Sequence, residues 1–150
     1  MTKLTPDTDP TCRLIAEYLQ ERLNQLSAQT VVAAIRDHDA FIAASNVDFP
    51  LLQVYRGDSR GRFLEVSQIV IEYYLLDLIA YWERAGLIRF VEVAIAQLLD
   101  KSEFDQRFEK VRPYLDTLRS QRGYLRMPSG EVYPNVKITL DIAEPEVKVI

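Results

Sequence analysis

Apolar and polar positions change rhythm several times along this chain, and the changes mark out its elements. From residue 10, Leu14, Ile15, Tyr18, Leu19, Leu23 and Leu26, with Arg22 among them, recur at spacings of three and four. That is the rhythm of an amphipathic helix. Thr8 or Asp9 supplies its cap, Pro10 suits its first turn, and it should end near residues 27–29. Residues 1–9 are polar, contain Pro6 and have little to bury, which predicts a mobile arm. Residues 30–44 fit either a second helix, with Val31, Val32, Ile35, Phe41 and Ile42 inward, or an irregular crossing that begins with a short strand.

Residues 49–77, FPLLQVYRGDSRGRFLEVSQIVIEYYLLD, read as two extended segments joined by a polar turn. The first is Leu51, Leu52, Gln53, Val54 and Tyr55, and the turn follows over residues 56–61, with Gly57 and Gly61 giving it positive φ. The second is residues 68–76. There Ile69, Ile71, Tyr73 and Leu75 share a wholly apolar or aromatic face, while Gln68, Val70, Glu72, Tyr74 and Leu76 share a mixed one. The first face should pack on helices. The second would be half wet on a lone subunit, which points to a neighbouring subunit over it.

Asp77 then caps a long helix over residues 78–99, so dense in apolar residues that it must be buried on more than one side. Gly86 either divides it or is tolerated at about 1 kcal/mol. The spacing of Phe104, Phe108, Val111, Tyr114, Leu115 and Leu118 predicts more helix over residues 101–120, kinked at Pro113. After that the chain is extended: residues 124–127 and 132–133 flank a turn at Pro128-Ser129-Gly130, and Val136, Ile138, Leu140 and Ile142 alternate with Lys137, Thr139 and Asp141. Such alternation predicts a strand with one face in the core and one in water. Glu144-Pro145-Glu146 interrupts it, and residues 147–150, with Val147 and Val149, form a short edge strand or an arm that pairs with another subunit.

Together these elements predict an α+β fold, a mixed or antiparallel sheet packed against amphipathic helices, as one domain over residues 10–150. A chain of 150 residues buries roughly 68–70% of its unfolded surface, enough for a core without staples. Charged residues at 27% and apolar residues at 48% disfavour disorder, and no apolar run reaches the ~20 residues of a membrane span. The first residues lack the apolar stretch of a secretory signal. A single cysteine, Cys12, excludes an intrachain disulfide and a multi-thiolate metal site, which fits a reducing compartment. The net charge of −4 argues against general nucleic-acid binding.

Three short strings invite chemical readings and none carries one. Asp37-His38-Asp39 holds the only histidine between two carboxylates, but adjacent helical residues do not share a face and no second cluster joins them. Arg56-Gly57-Asp58 resembles an adhesion ligand, without a secretory signal. Gly57-Asp58-Ser59 resembles an esterase motif, without a base for its serine. The chain is therefore not read as an enzyme, and no cofactor and no metal are expected.

The order of elements, with FPLLQVYR and QIVIEYYLLD as a hairpin between an amphipathic helix and a long apolar one, resembles the tail terminator (tail completion) proteins of tailed bacteriophages, and more broadly phage neck and tail subunits. That resemblance implies a structural virion protein that forms a ring, usually of six copies. The ring caps the tail-tube protein, presents a surface to the head-side neck or connector protein, and lets DNA pass through its lumen without sequence recognition. It also implies location in the virion tail or neck, after assembly in the host cytoplasm, with no membrane involved. The expected subunit interface comprises Gln68, Val70, Glu72, Tyr74, Val147 and Val149, and the loop expected to reach a partner ring carries Arg56, Asp58, Arg60 and Arg62. The competing reading is a small cytosolic adaptor that binds another protein through the helices around Trp82 and Phe90.

Overall fold

The computed structural model describes residues 9–26, 33–35, 50–75, 81–101, 104, 111–126, 130, 132–144 and 149. In chain order they form α1 (Pro10–Leu26), β1 (Ala33–Ile35), β2 (Leu51–Arg60), β3 (Val66–Tyr74), α2 (Tyr81–Asp100), β4 (Arg112–Arg126) and β5 (Val132–Ala143). The strands make one sheet in the order β1-β2-β3-β5-β4, with β1 parallel to β2 and every other pair antiparallel. This is the expected α+β architecture, a mixed sheet against amphipathic helices.

Three rows of side chains cross the sheet beneath the helices: Leu52, Tyr73 and Val136; Val54, Ile71 and Ile138; Arg56, Ile69 and Leu140. The eight apolar members are buried and join one core with Cys12, Ile15, Tyr18, Leu19 and Leu23 of α1 and Val91, Ile95, Leu98 and Leu99 of α2. Each fully buried aliphatic side chain there is worth about 1.5–3 kcal/mol. Between the helices, the Tyr18 hydroxyl donates to the Leu98 carbonyl at 3.2 Å, and its ring meets Phe104 edge-on with centroids 5.6 Å apart. The buried stripe of α1 runs through Cys12, Ile15, Ala16, Leu19 and Leu23, which turns Leu14 and Leu26 outward, against expectation. The small Cys12 and Ala16 allow this by letting the helix axis sit close to the sheet.

Asp9 caps α1: its carboxylate accepts from the Cys12 N–H at 3.2 Å and its carbonyl from the Arg13 N–H at 3.0 Å. Within residues 30–44, the short strand β1 is the reading realised at residues 33–35. The rest of that segment, including Asp37-His38-Asp39, lies outside the described residues, as do residues 1–8 of the expected arm.

Two expectations are overturned. β2 runs on to Arg60 through the anticipated turn, because a bulge between Arg56 and Ser59 absorbs Gly57 and Asp58 inside the strand. The reversal is made by residues 61–65, where Gly61 (φ 98°) and Leu64 (φ 57°) hold the positive angles and Gly57 does not. The second correction is larger: residues 112–120 of the expected kinked helix instead begin the fifteen-residue strand β4, which runs on to Arg126 in the segment expected to be extended. Its register against β5 shifts between Tyr114 and Arg119, so that four residues bulge opposite Leu140. Leu115 and, through the bulge, Leu118 pack on the core with Val111, which stands just before the strand, and together they reproduce helical spacing. Thr117 closes it, donating to the Tyr114 carbonyl at 2.6 Å and accepting from the Asp141 N–H at 2.8 Å.

Helix α2 is continuous through Gly86, which lies exposed with nothing within 4 Å of where a Cβ would stand. Glycine there costs conformational entropy without a packing return, so Gly86→Ala should stabilise the fold by about 0.5–1 kcal/mol. Thermal unfolding of the two chains checks this, and an unchanged or lowered midpoint would contradict it.

Candidate functional site

Four places concentrate polar or unusual chemistry. The first lies where the third cross-sheet row ends. Arg56, facing the helices, is clamped in a fork by Asp9, with Nε to Oδ2 at 2.8 Å and Nη2 to Oδ1 at 3.0 Å. It also donates to the Ser67 hydroxyl at 2.7 Å and to both oxygens of Glu144. Glu144 in turn accepts from the Thr11 hydroxyl, and its N–H donates to the Glu65 carbonyl at 2.7 Å. One guanidinium thus ties the cap of α1, the bulge of β2, the start of β3 and the end of β5. Burial pushes the Asp9 carboxyl up, but the hydrogen bonds and charge of Arg56 outweigh it and hold that carboxyl below its ordinary value. Burial likewise opposes the charged form of Arg56, and Asp9 and Glu144 more than restore it. Beside this knot the buried Cys12 thiol is pushed up to about 12, chiefly by burial and then by the Asp9 charge, so it is an inert packing residue.

The second lies on the opposite face of the sheet. Gln53, Tyr55, Val70, Glu72 and Tyr74 line up there, and Glu72 accepts hydrogen bonds from both tyrosine hydroxyls. Burial first, then the Glu72 contact, raises both tyrosines well above their ordinary value, so neither hydroxyl gives up its proton at neutral pH. The expected wetness of this face is corrected here: Gln53 is 0% exposed, Val70 4%, Glu72 5% and Tyr74 1% within the single chain. Of the expected interface, Val70, Glu72 and Tyr74 are therefore interior, Gln68 is half-buried, Val149 is exposed, and Val147 lies outside the described residues. The same face opens toward β5, where Lys137 stands exposed next to Glu72 in the register.

The third is the β2–β3 tip. The Leu64 N–H closes the turn onto the Gly61 carbonyl at 3.1 Å, and the Glu65 carboxylate accepts from the Phe63 N–H at 2.8 Å. Phe63 and Leu64 stay exposed, with Arg62 over the Phe63 ring at 5.2 Å. Of the residues expected to reach a partner ring, Asp58 and Arg62 are exposed, Arg60 pairs with Asp141 at 3.2 Å, and Arg56 is committed internally. The sequence therefore grouped four side chains that the fold separates into a clamp, an ion pair and a tip.

The fourth went unseen in the sequence. Strand β4 is the edge of the sheet, and from Arg119 to Gln121 and at Arg122, Tyr124 and Arg126 both of its faces are exposed. On the helix-facing side Ser120 and Arg122 (2.7 Å) donate to Glu92 of α2. Burial pushes the Glu92 carboxyl up, but Arg122 and Ser120 prevail and hold it below its ordinary value. The arginine spacing and the breakers Pro113 and Gly123 were the available signals, masked by the helix-like apolar rhythm.

No protein-family model matches the chain, and no curated protein matches it. Among the described residues no cluster of three or more His, Cys, Asp or Glu is placed to hold a metal, and no helix is long and apolar enough to cross a membrane.

Replacing Arg56 by Met should destabilise the fold by about 2 kcal/mol near neutral pH, since it strands two partly buried carboxylates. The Asp9 part of that margin has a defined sign. A carboxyl held low in the folded state contributes stability above its unfolded value, and loses it as pH falls through the folded one. The gap between wild type and Arg56→Met should therefore narrow below about pH 4 in denaturant titrations, and a gap independent of pH would contradict the clamp. On the other face, Glu72→Ala should cost about 2–4 kcal/mol, because it opens a cavity and takes the Glu72 acceptor from one buried hydroxyl, Tyr74, and one half-buried, Tyr55. Tyr74→Phe, which removes one donor only, should cost about 1 kcal/mol by the same measurement.

Proposed function

We propose that this chain is a structural subunit of a bacteriophage tail or neck, of the kind typified by tail terminators. Copies of it close into a ring, expected to be a hexamer, that caps the tail-tube protein and offers its other side to a head-side neck or connector protein. DNA passes through the lumen without sequence recognition, and the work of the protein is complementarity between surfaces rather than turnover. Assembly takes place in the host cytoplasm and the product resides in the virion.

The observation that carries this reading is a sheet with two unlike edges: β1, three residues long, and β4, fifteen residues long and hydrogen-bonded to β5 alone among the described residues. A long open edge is a template for pairing with another chain, which single subunits counter by keeping such edges short or covered or by placing bulges, prolines and charges along them. A ring needs heterologous contacts between two different surfaces of each subunit, and a sheet whose edges differ supplies that difference. The surface offered by β4 replaces the interior side chains Val70, Glu72 and Tyr74 as the seat of subunit contact. The adaptor reading finds its support in Phe90, which is 40% exposed on α2.

The two readings separate on mass in solution. Light scattering of the purified chain, alone and then mixed with a phage tail-tube protein, should give a closed ring in one condition or the other. A chain that stays monomeric in both would overturn the ring and leave the adaptor.

A further inference from the structure

The face of the sheet away from the helices is closed over β2 and β3 but open over β4 and β5. Its rows run outward as Arg112 beside Ala143, Tyr114 beside Asp141, Arg119 beside Thr139 and Gln121 beside Lys137. Thr139 stands next to Val70 and Lys137 next to Glu72, which places these rows on the Glu72 side of the sheet. Arg112, Tyr114, Arg119, Gln121 and Lys137 are all exposed. From Ala143 to Lys137 the rows cover about 20 Å along the strands, at about 3.3 Å per residue. Arg60 joins the same face at one end, since the row Arg60, Val66, Ala143 and Arg112 crosses the sheet. Four cations thus stand against Asp141, which pairs with Arg60, and Asp116 in the bulge. Arg56 and Arg122 are committed to carboxylates of the fold, but no ion pair holds Arg112, Arg119 or Lys137 among the described residues.

We infer that this open half-face binds single-stranded nucleic acid, with Arg112, Arg119 and Lys137 on the phosphate backbone and Tyr114 beneath an unpaired base. The inference goes beyond the ring reading and does not rest on it. The three unpaired cations are strung along the strands instead of converging on one point, an arrangement that suits a chain of phosphates better than a single small anion. Tyr114, 42% exposed, lies in the row between Arg112 and Arg119, where it supplies a stacking surface between two backbone contacts. A duplex keeps its bases stacked on one another and has none to offer this ring, so the aromatic residue selects the single strand. Gln121 adds an amide within the same face for the edge of a base. The chain's total of −4 does not oppose this, because at physiological salt the screening length is about 8 Å and the charges nearest the ligand decide.

The test follows the fluorescence anisotropy of a labelled oligothymidylate of about twelve nucleotides with the full-length chain, between about 50 and about 200 mM salt. Three phosphate contacts to a single strand give a slope of log affinity on log salt near −2, so affinity should fall about twentyfold over that range. Arg119→Gln/Lys137→Gln should weaken binding at least about tenfold at the lower salt and bring the slope to about −0.7, one contact remaining. Tyr114→Leu should weaken binding at least about fivefold and leave the slope as it was. Arg13→Gln/Arg89→Gln, which takes the same charge from exposed positions on the two helices, should bind as the wild type does. All variants should keep the circular dichroism spectrum and melting midpoint of the wild type, since every altered side chain is exposed. Absence of binding by the wild type at the lower salt would overturn the site, and so would equal weakening by the helix pair, which would make the effect one of total charge. A duplex bound as tightly as the single strand, or a silent Tyr114→Leu, would overturn the selection of unpaired bases.

Discussion

The pairing of β2 with β3 is the constraint on which the rest of the molecule depends, because over residues 51–54 and 69–74 both faces of that pair are dry. Where one face of a sheet meets water, a slip of one residue is costly on one side only; here it is costly on both. Sliding β3 by one position would bring Glu72 beneath the helices and put Ile71 and Tyr73 among Gln53 and Tyr55. The register is therefore fixed twice, by apolar rows on the helix side and by the Glu72 hydrogen bonds on the other. Buried polar groups arranged in this way contribute little net stability, but they make the alternative pairings much worse.

Arg56 converts that local register into a tertiary arrangement. It stands on the helix-facing side of β2, at the row where apolar side chains give way to the sheet's end, and every partner it holds belongs to a different element. The carboxylate that caps α1 is the same carboxylate that grips the guanidinium, so the start of the helix cannot move along the sheet without uncapping itself. The bulge between Arg56 and Ser59 serves the same end, bringing Ser59 and Ser67 to 2.7 Å beside the clamp. Turn-forming residues inside a strand are then explained by what the bulge positions.

Much of this was legible in the sequence where a single period governed a segment. The alternation of Val136, Ile138, Leu140 and Ile142 predicted β5 because that strand is itself regular, its register against β3 unbroken and the bulge on its other side carried by β4, and Asp9-Pro10 announced the start of α1 through capping chemistry that is purely local. The inward face of Ile69, Ile71 and Tyr73 was read correctly for the same reason. Failures came where tertiary structure altered a period or its meaning. At β4 the extra residues of the bulge brought Leu118 onto the side where Leu115 and the preceding Val111 lie, and spacings of four and three cannot be told from a helix by pattern alone. At β3 the polar content of Gln68 and Glu72 suggested water, but the acceptor and donors needed to keep Glu72 dry come from Tyr55 and Tyr74, one of them on another strand. The charged cluster of residues 56–62 dispersed for a related reason: β2 continues through it, and the bulge between Arg56 and Ser59 shifts the alternation, so that Arg56 faces the helices and Arg60 the opposite side.

The bulge in β4 also divides the strand by role. Its first half belongs to the fold: Leu115 and Leu118 lie against the core, and Thr117 stitches the bulge to Asp141. The second half contributes no side chain to the buried core among the described residues; it is anchored by its ladder to β5 and by Glu92 from α2. Energetic coupling between well-separated positions that share no partners is weak. Changes at Arg119 or Arg126 can therefore alter what the edge meets while leaving Leu115, Leu118 and the rows beneath the helices as they are. An edge that is open, long and strongly charged can then persist in a stable fold, because its arginines discourage edge-to-edge pairing.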